Sequence, residues 1–400
     1  MREPSAVDAT AFSFHDAELM QDPVPFYDEM RRKCPVAHSD QHGGFYFVTN
    51  FVGAKRVYDE YLSFSSKDGT ALPKQPLPLY PADLDPPEQL RLRRLLNPFF
   101  VVEAAATHAA DVKEVVERLI DAFIDKGEAE LQRDLIHPTL SGIVLPFMGA
   151  PMSDLPMLSS KIHHLTRHRA DDPDGCARIG EELGAYLLEI TDRRRREEPK
   201  QDILQTLVDA KIEGKPLSDM EILDTLTLIL FGGLDTTSAA LTEGFLHLSR
   251  NPSDADRLRS GEVPWRSAIE EFVRFASPVQ GLRRTVAKEV ELEGRVLSPG
   301  DFVFAMNGAA NRDPDRFSEP NRIIIDRQMD GHLGFGAGAH ICLGQHFART
   351  LMEVVLKTTL TRIPDLSTPG DFAPEYAVGE SRVMKTLPIR FKARSSSAAA

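Results

Sequence analysis

The chain has 400 residues, 42% of them hydrophobic, enough for a large core, and a formal net charge of −13 from 47 basic and 60 acidic side chains. That balance excludes a basic nucleic-acid footprint, and three cysteines, Cys34, Cys176 and Cys342, argue against a disulfide scaffold and for a reducing, cytoplasmic setting. The longest apolar run, residues 226–234, falls well short of the roughly 18 residues of a membrane span, and the N-terminus lacks a basic-then-apolar leader, so no membrane partner is expected.

Neither a linker nor an internal repeat divides the sequence, which predicts one domain over residues 1–400 with a disordered tail at 394–400. Helical patterning dominates, and β-rich stretches are expected near 40–65, 285–306 and 375–393, giving a mainly α fold with a minor β region. Arg31-Arg32-Lys33 and the four arginines 193–196 read as solvated helix faces. The segment Asp85-Pro-Pro-Glu-Gln89-Leu-Arg-Leu-Arg93 opens a helix, its prolines and acids suiting the first turn.

Ser218-Asp-Met-Glu221 is a capping box, and the residues after it are apolar nearly all round, as in a buried helix. With no breaker before Asn251-Pro252, that helix would span about 45–50 Å. Gly232, Gly233, Asp235 and Thr236 interrupt it: each glycine costs roughly 1 kcal/mol against alanine, and Asp235 brings a carboxylate into apolar surroundings. Two readings stay open here. Thr236 bonds back to the carbonyl four residues earlier while Asp235 pairs with an arginine, or the fault is a working site.

Glu271 and Arg274 lie at i and i+3 on one helix face. Residues 285–306 alternate as short hairpins, turning at Gly294 and at Pro299-Gly300. Then comes Gly334-Phe-Gly-Ala-Gly-Ala-His340-Ile-Cys342-Leu-Gly344. Its glycines permit positive φ and close approach to a flat object, and a helix over about 345–362 turns free N–H groups and a positive dipole end toward Cys342, stabilising a thiolate. A dinucleotide turn would require an acid at a strand end about 20 residues on, but Glu353 falls mid-helix. A zinc cluster of His340, Cys342 and His346 would require a second ligand group, and none stands at finger-like spacing.

The loop resembles the heme-binding signature of the cytochrome P-450 superfamily: an aromatic seven residues before the cysteine, a cationic-type residue two before, and glycines six and four before and two after. The resemblance implies that fold over nearly the whole chain, with a long central helix over heme b (iron protoporphyrin IX). Cys342 would be the iron ligand, Phe335 would pack beside the sulfur, Gly344 would release the chain, and His340, arginine in many members, would bond a propionate. Arg93 and Arg283 match two further propionate ligands, while Gln89 stands where many relatives have histidine. Gly232 and Gly233 would let the central helix approach the heme, with Thr236 and Asp235 as the alcohol and acid that hydrogen-bond O2 and relay protons. Glu271 and Arg274, with Arg322 of an altered Pro-Glu-Arg-Phe segment, would form a structural cluster.

The nearest pattern is similar to the camphor-hydroxylase type of soluble bacterial enzyme, although its substrate-anchoring tyrosine falls nearer Leu77 than Tyr80. Leu77, Leu79, Tyr80, Leu228, Phe231 and Val279 are the implied pocket walls, suited to a small hydrophobic substrate such as a terpenoid or alkyl-aromatic. The resemblance further implies a monomer, fed electrons by a [2Fe-2S] ferredoxin and an NAD(P)H-dependent ferredoxin reductase, with docking near Cys342 on Arg91, Arg94 and Arg349. A non-catalytic heme-thiolate sensor is the alternative, which would have no need of an acid–alcohol pair.

Overall fold

A computed structural model describes residues 8–379 and 381–394; the predicted tail lies outside these except at Arg394. The helices framing the site are α1 (Phe51–Asp59), α2 (Glu88–Phe100), α3 (Ala109–Asp121), α4 (His137–Met148), α5 (Leu155–Arg167), α6 (Pro173–Arg194), α7 (Asp219–Gly233), α8 (Asp235–Arg250), α9 (Trp265–Ala276) and α10 (Gln345–Arg362). The capping box forms as expected: Ser218 Oγ accepts the Glu221 N–H at 3.2 Å, and a Glu221 carboxylate oxygen accepts the Ser218 N–H at 2.8 Å.

The expected single helix over 219–250 is two. α7 ends at Gly233 and α8 begins at Asp235, with Leu234 at φ −98°, ψ −69° between them. Two adjacent glycines weaken the helix there, and Thr236 Oγ1 donates to the Gly232 carbonyl at 2.7 Å, taking an acceptor the ladder would use.

A five-stranded sheet flanks the helices, built from β1 (Val36–Ser39), β2 (Phe45–Val48), β3 (Phe64–Ser65), β4 (Leu282–Val286) and β5 (Phe302–Ala305) in the order β1-β2-β5-β4-β3. The β5–β2 pair is parallel and the others antiparallel. Residues 51–59, inside the stretch expected to be β-rich, form α1; the strand at 388–390 falls in an expected stretch, whereas its partner at 128–130 and the ladder at 211–216 escaped the sequence pattern. In β4 the two-residue period puts Leu282 and Arg284 on one face and Arg283 on the other.

Two helical cores meet over the site. One joins residues of α3, α4, α8, α9 and α10; the other joins residues of α2, α5, α6 and α7. Phe100 and Phe147 pack against both, so the seam between the cores is lined with aromatic rings.

Candidate functional site

An apolar cavity of about 320 Å³ lies in that seam. Its floor is the 334–344 loop and the start of α10, with Phe335, His340, Cys342 and Gly344 in the wall; its roof is the α7–α8 junction, with Leu228, Phe231, Gly232, Gly233 and Thr236. Leu79, Val279 and Leu282 close one side, and Phe147 and Phe347, stacked at 4.9 Å, another. Leu77 and Tyr80 do not reach it: Leu77 packs near Gly180 and Gly184 of α6, and the chain turns so that Leu79, Pro81 and Ala82 face inward instead. Periodicity gave no signal for Leu96, Phe100, Val144 or Phe347, which enter the wall from α2, α4 and α10.

The cysteine is held by its backbone, whose N–H donates to the Phe335 carbonyl at 2.8 Å. The Phe335 ring is covered by the Arg349 guanidinium at 4.3 Å. Burial raises the Cys342 thiol above its ordinary value; the Gly344 N–H, Arg93 and Arg349 pull it down without prevailing. A metal ion would have to displace the proton.

Around one edge of the cavity stands a positive cluster. Arg93 Nη2 donates to the Ile341 carbonyl at 2.9 Å, which ties α2 to the residue before Cys342. His340 sits 3.3 Å from Ser66 Oγ, and burial, with the fields of Arg284 and Arg93, pushes its pKa down to about 3. At neutral pH it is an uncharged imidazole, not the cation its position suggested. Gln89 is buried, donating to the Ala339 carbonyl at 2.6 Å while its Oε1 has no partner.

The structure does not bring Arg283 into this cluster. Its Nε donates to the Gly69 carbonyl at 3.0 Å, its Nη2 to the Asp68 carbonyl, and its guanidinium covers Phe302. The next residue, Arg284, occupies the other face: it is buried, donates Nη1 to the Arg283 carbonyl at 2.8 Å, and leaves Nη2 without a partner. The two-residue period of the strand decides between them.

Glu271 and Arg274 form a fully buried pair at 2.7 Å, but the third member is Arg327 rather than Arg322. Arg327 Nε donates to Glu271 Oε2 at 2.9 Å, whereas the Arg322 side chain points outward to Glu319 and contributes only its backbone carbonyl to Arg274. Arg349, expected on a docking surface, is instead bound to both Glu270 carboxylate oxygens, at 2.7 and 3.1 Å.

Thr236 lines the cavity and Asp235 does not. The Asp235 carboxylate, 1% exposed, turns toward α5, where His163 Nε2 lies 3.0 Å from Oδ1 and Arg167 Nη2 lies 3.7 Å from Oδ2. Burial alone would raise its pKa, but His163 and Arg167 prevail and hold it below the usual carboxylate value. The back-bond of Thr236 and the arginine contact of Asp235 are thus both present, and neither precludes a function.

Two features fit a flat, dianionic-edged group. Partnerless polar atoms on Arg284 and Gln89 lie in the cluster beside the cavity. A Cβ added at Gly232 would meet nothing within 4 Å, so the glycine leaves room that protein does not fill, whereas at Gly233 it would strike Val144 at 2.9 Å, a helix-packing constraint.

A mainly helical domain with a lone cysteine under an apolar cavity, a cationic edge and an alcohol on the opposite wall has the layout of a heme-thiolate protein. The chain belongs to the cytochrome P450 family, whose model, described as "Cytochrome P450", matches residues 152–261 and 265–376. It is 33% identical over 324 residues to the methyl-branched lipid omega-hydroxylase of Mycobacterium tuberculosis, covering 76% of this chain and 73% of that protein. It is 28% identical to the pentalenic acid synthase of Streptomyces avermitilis, covering 97% of this chain and 100% of that one. Among solved structures, CYP108D1 from Novosphingobium aromaticivorans superposes with a TM-score of 0.85 at 27% identity, covering 96% of this chain and 98% of that one. The protein is accordingly a P450 monooxygenase, a heme-dependent oxidoreductase that uses O2.

Proposed function

We propose that the protein hydroxylates a small hydrophobic substrate, a terpenoid, alkyl-aromatic or branched lipid, with heme b, O2 and two electrons from a [2Fe-2S] ferredoxin. The carrying observation is the apolar wall between Cys342 and Thr236: Leu79, Leu228, Phe231, Val279 and Leu282 offer no side-chain hydrogen-bonding group to a substrate. Relatives named for methyl-branched lipid, steroid and pentalenic acid chemistry support the same class.

When bound in this cavity, a heme would supply the chemistry by which one oxygen atom of O2 enters a C–H bond and the other leaves as water. Cys342 would ligate the iron, and Arg93, Arg284 and His340 would hold the propionates. Phe335 would pack beside the sulfur and shield it from water. Thr236 presents a hydroxyl that can turn from the Gly232 carbonyl to a polar guest, and Asp235 behind it stores the proton that the reaction consumes. No helix among the described residues is long and apolar enough to cross a membrane. Electrons would enter near α2, where Arg94 is exposed and Arg91 half-exposed beside the cysteine loop.

Two measurements test this reading. The reduced CO difference spectrum should carry the thiolate-ligated band and lose it in Cys342→Ser. Titration with a methyl-branched fatty acid, a steroid and a bicyclic terpenoid should produce a spin-state shift with at least one; a shift with none of them would overturn the substrate class.

A further inference from the structure

We propose that His163 is the proton-relay residue that connects solvent to Asp235. This rests on the reading of Asp235 as the proton store and adds the route by which protons reach it.

The Asp235 carboxylate is buried; its side-chain contacts among the described residues come from α5, and His137 of α4 adds its field. Thr166 Oγ1 lies 3.4 Å from Oδ2, Arg167 Nη2 3.7 Å from Oδ2, and His163 Nε2 3.0 Å from Oδ1. Only one of the three can give up a proton and take it back near neutral pH. A guanidinium stays charged throughout, and the Thr166 hydroxyl is already committed to the Ile162 carbonyl at 3.0 Å. Imidazole is the side chain whose ordinary titration range spans physiological pH. The His163 Nε2–Asp235 Oδ1 approach is short but off the line of a hydrogen bond, and neither atom has a hydrogen-bond partner among the described residues.

His163 is a quarter exposed and lines an open polar cleft of about 630 Å³ between α5 and α6. One edge of the imidazole therefore meets water and the other meets a carboxylate that water does not reach. Past Asp235, the next residue, Thr236, lines the heme cavity. Cleft, His163, Asp235, Thr236 and cavity follow one another across the domain.

Other charged and titratable groups surround the ring. His137 of α4 meets it edge-on at 5.6 Å between centroids, Arg167 and His164 share its helix, and Lys161, His168, Arg178 and Glu182 line the same cleft. Cationic walls keep Asp235 ionised at rest, so the store is empty until a proton arrives. The transfer balances simply. Imidazolium Nε2–H gives its proton to Asp235 Oδ1, the ring becomes neutral, and cleft water restores the proton after the ring or its tautomer resets; no electrons move.

The test uses the heme-loaded enzyme with a surrogate [2Fe-2S] ferredoxin and reductase, a methyl-branched fatty acid as probe, and peroxide released per NAD(P)H as readout. His163→Ala should lower product per NAD(P)H about 100-fold or more and raise peroxide to match. Imidazole entering through the cleft should restore coupling saturably, while pyrazole, equally large but not a base at neutral pH, should not. His163→Gln keeps a polar contact without a transferable proton, and should be as uncoupled as alanine. Independently of turnover, the ¹⁵N resonances of the His163 ring should move in Asp235→Asn, which removes its anionic partner. Wild-type coupling in either His163 variant, or equal rescue by both azoles, would overturn the proposal. If Asp235→Asn is impaired while His163→Ala is not, protons take another route and only this inference falls; if neither is impaired, the role of Asp235 falls with it.

Discussion

Arg327 Nε donates to Glu271 Oε2 across 2.9 Å, between two side chains no more than 5% exposed. Glu271 also accepts from Arg274 Nε at 2.7 Å and from the Ile324 N–H at 2.8 Å. The cluster locks α9 to the chain that leads into the cysteine loop. Removing one partner from a buried charge group leaves the others uncompensated, so Arg327→Ala should destabilise the fold by about 3–5 kcal/mol. Arg322→Ala, at an exposed side chain, should fall within about 0.5 kcal/mol of wild type. Urea unfolding of the two variants checks the assignment; equal losses would return Arg322 to the cluster.

Arg284 and Arg283 should separate in heme retention. A charge-assisted hydrogen bond is worth about 1.5–3 kcal/mol, so Arg284→Ala should weaken heme binding roughly 10- to 100-fold. Arg283→Ala should loosen the 68–69 turn and leave heme affinity near wild type. Competition for heme by apomyoglobin, followed in the Soret band, measures both. The reverse order of losses would restore Arg283 to the site.

Asp224, on α7, is a buried carboxyl with a partnerless Oδ1. Burial, then the charges of Asp83 and Glu221, push its pKa from 3.8 up to about 7. Between those values the folded chain keeps a proton that the unfolded chain has released. Stability from this group is therefore lost as pH rises from about 4 to 7, and the cost is complete above 7. Asp224→Asn should gain on the order of 1–2 kcal/mol at pH 8 and nothing at pH 4. Denaturant midpoints at the two pH values decide; a pH-independent gain would contradict it.

Thr236→Ala removes the hydroxyl on the cavity wall and its bond to Gly232, without touching Cys342 or the cationic edge. NAD(P)H oxidation should continue while peroxide replaces most of the product. Unchanged stoichiometry would leave Thr236 with the helix-shaping bond alone.

Arg94 is exposed on α2, one residue from the Arg93–Ile341 contact. Arg94→Glu should slow reduction by ferredoxin about ten-fold at low ionic strength, with the difference shrinking as salt screens the surface. Stopped-flow reduction at two salt concentrations measures it. Identical rates would remove this face as the docking surface.

The chain's local chemistry was legible without coordinates wherever neighbours in sequence are the agents. The Ser218–Glu221 capping box, the glycine turns of the 334–344 loop, the Glu271–Arg274 pair and the weakness at Gly232-Gly233 are all interactions within a turn or two. What only the tertiary structure decided involves partners far apart or a choice between adjacent residues. Arg284 and not Arg283 lies toward His340 because a strand flips its side chains at every step, so a one-residue shift in matching changes the face. Arg327 replaces Arg322 because the chain between them folds back on α9. His163 meets Asp235 from another helix, 72 positions earlier in the sequence. The balance of desolvation and charge at Cys342 depends on every group packed around the sulfur. Local bonds are written in spacing, whereas burial and long-range pairing are set by how the elements close on one another.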